Sequence, residues 1–408
     1  MNKTRIITAM ALGMTLAPQA LTARDLTITV TNNEDVQRQE VVEIDAAKVS
    51  ASLELSDSDK LTVKNALGQQ VAYQLTHDGK LLIDVAVRPK GSATFTVSKG
   101  TPAPMKHFVK GKQYPERVDD IAWENDRTAY RIYGPALQAS GERAFGVDVW
   151  LKNTPDLEVD KRYATELSNH PAIQKLREEG KDDEALAMEQ ATTYHYDHGY
   201  GLDCYKVGPT LGCGAPALLD ANGQLILPYC YKSFEILDNG PLRFTVHVTY
   251  NPAVIGNDDN VVEHRIISLD KGSNYNKVTV WYEGLTANTK LAAGVVLHQE
   301  DLESIEAEDD MVLYADPTDN PAGQNFQIYV GVLFPEGVES TTELMNEKIE
   351  NGNAGHLVGI TTYKPGQKYT YYFGSAWSKN DVRTFKEWEL RSEETLEALQ
   401  KPLKVNIQ

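Results

Sequence analysis

The sequence predicts a mostly β protein built from large antiparallel sheets. Runs in which apolar and polar residues alternate recur along most of its 408 residues, separated by turn-forming residues. Such alternation places one face of a strand on a core and the other toward water, as in antiparallel sandwiches. Residues 160–191 are the exception, because they end in a stretch rich in Glu, Lys, Leu and Ala. That composition favours helices, so we expect a small helical insertion in a β framework.

Residues 24–104 are predicted to form an N-terminal β-sandwich or sheet layer. The alternating runs in this part are residues 26–30, 81–87 and 93–97. A turn signal at residues 98–100 ends the last run, and the proline-containing stretch 101–104 follows. This combination indicates a joint to a second domain.

Residues 105–408 are predicted to form one larger β domain that contains the helical insertion. We expect strands at residues 129–133, 145–150, 242–250, 261–267, 277–282, 328–333 and 369–374. Their length and number indicate stacked antiparallel sheets. Gly180 is expected to break the inserted helix, and residues 387–401 are expected to form a closing helix.

The first 23 residues have the features of an export signal. Lys3 and Arg5 precede an apolar run at residues 6–16, and small residues follow near position 23. The apolar run is too short to cross a bilayer. We therefore expect a periplasmic or secreted protein without membrane insertion.

The charge of the chain excludes one class of partner. The formal net charge is -18, and residues 1–23 hold two positive and no negative charges, so the remainder would carry -18 - 2 = -20. Binding to phosphates needs a basic face, so no nucleic acid partner is expected. An anionic sugar would need a local cationic pocket, and four arginines that are close in sequence could supply it: Arg117, Arg127, Arg131 and Arg143.

The three cysteines, Cys204, Cys213 and Cys230, leave two alternatives open. In an exported chain, Cys213 could form a disulfide with either of the other two and leave one free thiol. The alternative is three buried thiols. Spacing does not decide between them, and it does not match the paired spacing of a zinc site.

Residues 194–205, which we call the His/Tyr segment, are the strongest candidate for chemistry. They contain two histidines, two aspartates and four tyrosines, loosened by two glycines. Imidazole exchanges protons near neutral pH and a phenol can protonate a leaving oxygen, so His195, His198 and Tyr200 are candidate catalytic residues. The alternative is aromatic packing with two exposed histidines. The glycines argue against the helix on which two histidines three residues apart would share a metal, so no metal ligands are assigned, although a divalent cation stays compatible with the sequence.

A second group of candidates surrounds Trp123. Guanidinium groups bind carboxylates through two parallel hydrogen bonds, so Arg131 and Arg127 could hold an acidic sugar, and nearby acids could orient them. Arg131 and Tyr133 should share one face of a strand. The candidate substrate-binding residues of this group are Trp123, Glu124, Arg127 and Tyr133. The alternative is an ion-paired corner between domains.

His298 and Trp377 complete the candidate binding residues. His298 follows an apolar run and abuts polar residues, as a site residue at a strand end would. Trp377, with Lys379, could form the rim of a groove, because aromatic rings stack on sugars. A structural role is the alternative for each, and His247 is expected to be structural.

Several enzyme classes lack their motifs in this sequence. There is no Gly-x-Ser-x-Gly nucleophile motif, no phosphate-binding loop and no dinucleotide fingerprint. Paired carboxylates for glycoside hydrolysis need no local motif, so that class stays open.

Three motifs resemble one known family. They are residues 116–127, the Tyr-Gly-Pro-Ala-Leu run at 133–137, and the pattern His195-x-x-His198-Gly199-x-Gly201-x-Asp203. Together they resemble the exported domain of unknown function 4861 family, which is found beside glycan-degradation genes. The long β series is also similar to the galactose-mutarotase-like supersandwich of several polysaccharide lyases. The resemblance covers most of the mature chain and implies an activity like that of glycan-degrading oligosaccharide dehydratases and lyases.

The reaction that this resemblance implies is β-elimination on a uronic-acid-containing oligosaccharide. Residue chemistry assigns carboxylate binding to Arg131 or Arg127, proton abstraction to His195 or His198, and protonation of the leaving oxygen to Tyr200 or another nearby tyrosine. The alternatives are a glycoside hydrolase or sugar epimerase on the same fold, and a non-catalytic glycan-binding protein. All of these hypotheses require the His/Tyr segment to lie beside the arginines near Trp123.

Overall fold

The computed structural model describes residues 25–56, 58–298, 304–317, 325–350 and 352–408. Strands make up 46% of the structure and helices 17%. The predicted mostly β class, with antiparallel sheets in a sandwich-like arrangement, is therefore confirmed. The predicted export signal lies outside the described residues. Among the helices of the described part, none is both long enough and apolar enough to cross a membrane.

The N-terminal part is a small sandwich with its own core. Its elements are β1 (Leu26–Thr31), β2 (Arg38–Asp45), α1 (Ala46–Leu53), β3 (Leu61–Asn65), β4 (Tyr73–Leu75), β5 (Lys80–Val87) and β6 (Ser92–Lys99). Alternate residues of β1 are buried, as its sequence pattern requires. The helix α1 begins where the Asp45 carboxylate accepts hydrogen bonds from the free backbone N–H groups of Ala47 and Lys48.

A four-stranded sheet and a helix pair follow. The elements are β7 (Lys110–Tyr114), β8 (Asp120–Glu124), β9 (Ala129–Ile132), α2 (Pro135–Ala139), β10 (Asp148–Trp150), α3 (Val159–Glu178) and α4 (Asp182–Thr192). The strand order in the sheet is β10-β9-β8-β7. The helix pair matches the expected insertion, and Gly180 lies in the break between its helices with a φ of 72°.

Two larger antiparallel sheets complete the main core. Their strands are β11 (Cys213–Leu219), β12 (Leu225–Ile226), β13 (Tyr231–Asn239), β14 (Arg243–Tyr250), β15 (Ala253–Ile255), β16 (Asp258–Asp270), β17 (Tyr275–Glu283), β18 (Thr289–Leu297), β19 (Ile305–Glu308), β20 (Met311–Asp316), β21 (Ile328–Leu333), β22 (Ser340–Glu350), β23 (Asn353–Tyr363) and β24 (Tyr369–Trp377). One sheet has the order β12-β11-β18-β23-β22, and the other runs β13-β14-β16-β17-β24-β21-β20-β19 with β15 attached to β16. One hydrophobic core joins these sheets to the four-stranded sheet.

The C-terminus returns to the N-terminal sandwich. The chain ends in α5 (Phe385–Gln400) and β25 (Lys404–Ile407). The last strand pairs antiparallel with β1, placing Ile28 opposite Ile407. The sequence assigned residues 105–408 to one domain, but β25 belongs to the N-terminal sheet. Its alternating pattern is too short to show which sheet it joins.

In the described structure the three cysteines are buried and none of them is in a disulfide, which selects the second alternative stated above. Burial raises the pKa of the Cys213 and Cys230 thiols, so neither forms the reactive thiolate readily. We expect a thiol reagent such as Ellman's to find no fast-reacting group in the native protein. After denaturation without reductant, it should find all three thiols. A lower count in denaturant would reveal a disulfide and contradict this structure.

Candidate active site

The His/Tyr segment lies along the edge strand of the four-stranded sheet. Asp203 forms an isolated antiparallel bridge with Trp150 of β10, and Gly212 forms a parallel bridge with Val147. The backbone N–H of Asp203 also donates to the Tyr194 carbonyl at 2.9 Å, which closes the segment on itself. Because β9 is the neighbour of β10, this docking brings the segment to the side chains of β9.

Two glycines allow the segment to follow this path. Gly199 and Gly201 have φ values of 96° and 110°, which other residues rarely adopt. A Cβ atom on Gly201 would lie 2.0 Å from the Leu151 carbonyl oxygen. The Asp197 carboxylate accepts hydrogen bonds from the N–H groups of both glycines, at 2.8 and 2.9 Å. The turn therefore needs glycine at both positions.

Arg131 lies at the centre of a buried group of carboxylates. Its Nε donates to Asp148 at 2.8 Å, and its Nη2 donates to Asp203 at 3.0 Å. Its Nη1 is 3.6 Å from Asp120. The Arg131 side chain is only 8% exposed, so this guanidinium is not available to a substrate carboxylate. The predicted carboxylate-binding role of Arg131 is therefore wrong, although the expectation that acids of the Trp123 run orient an arginine is confirmed by Asp120.

Two of these three acids have raised pKa values. Burial raises the pKa of Asp120 to about 6, although the positive charges of Arg131 and Arg117 oppose the rise. Burial and the nearby Asp203 raise the pKa of Asp148 to about 7, again against the pull of Arg131. The Oδ1 atom of Asp120 is buried without a hydrogen-bond partner in the described structure. Because one guanidinium faces three carboxylates, a proton on one of them lowers their mutual repulsion.

His195 connects this buried group to the surface. Its Nδ1 lies 2.9 Å from the Asp203 carbonyl oxygen and 3.8 Å from the Asp203 carboxylate. Nδ1–H donates to the carbonyl oxygen, because a carbonyl can only accept, and this leaves Nε2 as the basic nitrogen. The side chain is 53% exposed, so Nε2 can meet a bound ligand. The segment thus presents one oriented imidazole to solvent, supported by an acid that is itself held by Arg131.

Arg117 and Tyr194 lie beside His195. The Arg117 Nε and Nη2 donate to the Tyr194 hydroxyl at 2.9 and 2.6 Å. The Tyr194 and His195 ring centroids are 4.6 Å apart. Burial raises the pKa of Tyr194 to about 12, against the nearby arginines, so this phenol keeps its proton at neutral pH. Its hydroxyl oxygen accepts from Arg117 and retains one O–H to donate.

The backbone next to Arg117 is strained. Val118 and Asp119 have φ values of 46° and 65°, and a positive φ is rare for a β-branched residue such as valine. Gly134 packs against this turn so closely that a Cβ there would lie 2.2 Å from the Asp119 carbonyl oxygen. Strained backbone often accompanies functional sites. Here the strained turn directs Arg117 and Asp120 toward the same neighbourhood. The close packing of Gly134 against Asp119 also brings together the motifs at residues 116–127 and 133–137.

His198 and Tyr200 form the outer part of the segment. The His198 Nε2 lies 2.9 Å from the Thr193 carbonyl oxygen, and its ring is 6.1 Å from that of Tyr200. Lys161 of α3 lies 4.3 Å from the centre of the Tyr200 ring. His198 is exposed and Tyr200 half-buried, so both remain accessible to a ligand.

His298 approaches the same segment from β18. Its Nδ1 is 2.6 Å from the Asp316 carboxylate, and its ring also hydrogen-bonds to the backbone of Lys206. Its side chain is 7% exposed, so its main contacts are with protein rather than solvent. The negative charge of Asp316 and both hydrogen bonds raise the pKa of His298 against the effect of burial.

The pairing of His298 with Asp316 predicts a pH-dependent stability. Since the folded-state pKa is raised, the pair stabilises the fold fully below the unfolded value of 6.5, and this stabilisation is lost as pH rises through the folded value. Asp316→Asn should therefore lower the free energy of unfolding by about 1.5–3 kcal/mol at pH 6, and by less at pH 9. Urea unfolding at the two pH values measures this. An equal loss at both values would show that the imidazolium charge does not matter.

Two predicted substrate-binding residues are instead structural. Trp123 is completely buried, stacks on Tyr130 and Phe244 at 6.0 Å, and donates from Nε1 to Asn276 at 2.8 Å. Glu124 is 2% exposed, pairs with Lys152, and accepts from the backbone N–H of Val159 at the start of α3. The predictions for both were wrong because a motif does not show which face of its strand is buried.

Three other residues that were predicted to bind substrate, Tyr133, Trp377 and Arg127, have positions that differ from the prediction. Tyr133 is 8% exposed and lies under the Arg131 guanidinium, 5.1 Å from it, so it supports the buried network rather than a sugar. Trp377 is 2% exposed, so its predicted stacking role is wrong. Its neighbour Lys379 does reach the His/Tyr segment, where it pairs with Asp197. Arg127 lies in the turn between β8 and β9 and pairs with Asp381, away from Arg131.

Within the described ranges, no group of three or more His, Cys, Asp or Glu side chains is arranged to hold a metal ion. The structure also brings in residues that the sequence patterns did not single out, chiefly Asp148 and Asp316. Asp203 did stand in the His-x-x-His pattern, and its position beside two glycines was a usable signal. Asp148 and Asp316 gave none, because a single acid at a strand end is common in any sequence.

The described fold and site define a multi-sheet β-sandwich protein in which an exposed imidazole lies on a buried ion network. The chain belongs to the family described as a domain of unknown function (DUF4861), whose model matches residues 30–405. The predicted family is therefore confirmed. The chain is also similar to the uncharacterized protein P7 of Formosa agariphila, with 26% identity over 343 residues that cover 80% of this chain and 78% of the relative.

Two solved structures resemble the fold at 8% sequence identity. They are an alpha-mannosidase from Enterococcus faecalis V583, with a TM-score of 0.50, and a glycosyl hydrolase family 38 protein from Enterococcus faecalis, with a TM-score of 0.51. Each covers 94% of this chain, but this chain spans only 46% and 47% of their lengths. Similarity at this level shows the fold alone.

Proposed function

We propose that this protein is a carbohydrate-active enzyme of the lyase or dehydratase type, which performs β-elimination on uronic-acid-containing oligosaccharides outside the cytoplasm. The observation that carries the proposal is His195: an exposed imidazole whose Nδ1 hydrogen-bonds to the Asp203 carbonyl oxygen 2.9 Å away. This arrangement leaves Nε2 free to take a proton from a bound substrate. Membership in the family and the sandwich fold are compatible with this activity.

His195 acts as the base in the proposed reaction. It removes the proton from the carbon beside the sugar carboxylate, and the released electron pair forms a carbon–carbon double bond as the oxygen substituent on the next carbon leaves. Asp203 orients the imidazole and stabilises the imidazolium that forms, and Arg131 holds Asp203 in place. If the leaving group is a hydroxyl, the reaction is a dehydration. If it is a glycosidic oxygen, the chain is cleaved.

Arg117 replaces Arg131 as the proposed carboxylate-binding group. It is half-buried, and its Nη1 is not used in its hydrogen bonds to Tyr194. A cation near the substrate carboxylate stabilises the negative charge that develops there when the neighbouring proton is removed. The proposal therefore moves the cationic role to an arginine that contacts Tyr194, the chain neighbour of His195.

A tyrosine supplies the proton to the leaving oxygen in this proposal. Tyr200 is half-buried and can meet a ligand, whereas Tyr194 is 2% exposed and retains one O–H beside Arg117, so Tyr200 is the better placed donor. Tyr194→Phe and Tyr200→Phe distinguish them, because only the loss of the acid should slow substrates with poor leaving groups more than substrates with good ones. Equal effects on both substrate types would show that neither tyrosine donates the proton.

The main alternative is glycoside hydrolysis, which uses a pair of carboxyl groups at the scissile bond. Asp120 and Asp148, the acids with raised pKa values, are 1% and 0% exposed and lie against Arg131. They are therefore not placed to meet a sugar, which favours elimination over hydrolysis at this site.

A panel of uronate oligosaccharides incubated with the purified protein tests the proposal by mass and ultraviolet absorbance. Elimination produces an unsaturated uronate that absorbs, and dehydration also removes the mass of one water. Hydrolysis adds one water and produces no such absorbance. A rise in melting temperature without turnover would identify a glycan-binding protein and overturn the proposal.

A further inference from the structure

A groove of about 600 Å³ lies between the N-terminal sandwich, α5 and the larger sheet. Its walls come from β2, the turns around Arg127 and Gly272, and one flank of α5. Volumes of about 300–1,000 Å³ are typical of sites for small ligands. The groove is separate from the candidate active site: Arg127 lies in the turn of the β8–β9 hairpin, whereas Arg131 contacts Asp120 at its other end.

The groove is less acidic than the chain as a whole. Its basic lining residues are Arg38, Arg127, Arg243, Lys271, Lys277 and Arg391. Its acidic lining residues are equal in number: Glu34, Glu40, Glu43, Asp270, Glu394 and Glu397. A lining with no net charge contrasts with the formal charge of -18 for the whole chain. An acidic ligand would therefore meet less repulsion here than the net charge of the chain implies.

One end of the groove carries a local positive charge. Arg127 and Arg391 both donate to the same oxygen of Asp381, so two guanidinium groups share one carboxylate. Their side chains are 32% and 31% exposed. In the described part of the chain, the hydrogen bonds of both involve Nη1, which leaves Nε and Nη2 of each for a ligand. The paired N–H donors of a guanidinium match two oxygens of a carboxylate or a sulfate.

Tyr372 adds a neutral donor and a ring to the same groove. It is half-buried and lines the groove near Asp270 and Glu43, and burial together with these acids raises its pKa to about 12. The phenol therefore stays protonated and can donate to a sugar hydroxyl. The groove thus contains both an amphipathic ring and guanidinium groups, a combination that suits sugars with acidic groups.

We propose that this groove is a second binding site, for acidic oligosaccharides, in which Arg127 and Arg391 hold a carboxylate of the glycan. It goes beyond the proposed function, because binding here involves no bond breaking. It also gives Arg127 a binding role at a place that the sequence did not indicate. Such a site would retain a long acidic glycan on the protein while the active site acts on another part of it.

Calorimetric titration tests this proposal with tetrasaccharides of galacturonate, glucuronate and mannuronate, and with cellotetraose as the neutral probe. The protein carries His195→Ala, so that no probe is consumed. We expect at least one acidic tetrasaccharide to bind at two sites, and Arg391→Gln to weaken one of them at least tenfold. Cellotetraose should bind the groove much more weakly than the acidic probe.

Arg383→Gln is the matched control, because Arg383 is an exposed arginine near Asp381 that does not line the groove. It should leave both affinities unchanged. The proposal is overturned if no acidic probe shows a binding event that Arg391→Gln weakens, or if Arg391→Gln and Arg383→Gln behave alike, whatever the number of other sites. Turnover by the unmodified protein is scored separately, so failure of the enzymatic proposal would not be mistaken for failure of this one.

Discussion

Replacement of His195 by alanine is expected to reduce kcat/KM on uronate oligosaccharides by about 10²- to 10⁴-fold, the range that a positioned acid–base group contributes. The imidazole is 53% exposed, and in the described structure its ring contacts Asp203 and the ring of Tyr194. Its removal should therefore leave the fold intact. The initial rate of ultraviolet absorbance increase measures the effect, and thermal melting checks the fold.

His198→Ala is the matched control for this prediction. His198 is also an exposed imidazole of the His/Tyr segment, but its ring contacts a backbone carbonyl and no carboxylate. We expect a much smaller loss of kcat/KM for it. A larger loss at His198 than at His195 would exchange their roles, and full activity in both variants would remove both histidines from the chemistry.

Replacement of Arg131 by methionine is expected to lower the free energy of unfolding by about 3–5 kcal/mol, because it leaves buried carboxylates without their cation. Arg131 is 8% exposed and contacts Asp148, Asp203 and Asp120. Methionine keeps much of the volume of the side chain and removes its charge. Urea unfolding monitored by tryptophan fluorescence measures the loss.

The loss for Arg131→Met should depend on pH. Asp120 and Asp148 have raised pKa values of about 6 and about 7, against 3.8 for the unfolded chain. A carboxyl group with a raised folded-state pKa stabilises the fold at low pH, and this contribution is lost as pH rises through the folded value. The variant should therefore be closer to the wild type at pH 5 than at pH 8.

Arg383→Met serves as the control for this pH series, because exposed substitutions usually change stability by less than about 0.5 kcal/mol. A loss at Arg131 as small as that at Arg383 would show that the carboxylates do not depend on this guanidinium. An equal loss at pH 5 and pH 8 would show that the acids do not take up protons in this range.

Some of the strands and the longer helices could be predicted from the sequence because their periodicity is local. Alternating residues in β14 and β16 predicted half-buried strands, and the Glu- and Ala-rich stretch with Gly180 predicted the helix pair of α3 and α4. The His/Tyr segment could also be identified, because an unusual density of titratable groups needs no knowledge of pairing. These features depend on neighbours a few positions apart in the chain.

The partners of each candidate residue were decided only by the tertiary structure. Arg131 meets Asp203, which is 72 positions away, because the His/Tyr segment docks on β10. The same docking buries the Arg131 guanidinium among carboxylates, so that it is not available to a ligand, and leaves the His195 imidazole exposed. Burial of Trp123 likewise depends on which sheet covers its strand. Periodicity determines which residues can share a face, whereas the packing of distant strands determines whether that face meets solvent, a core or an opposite charge.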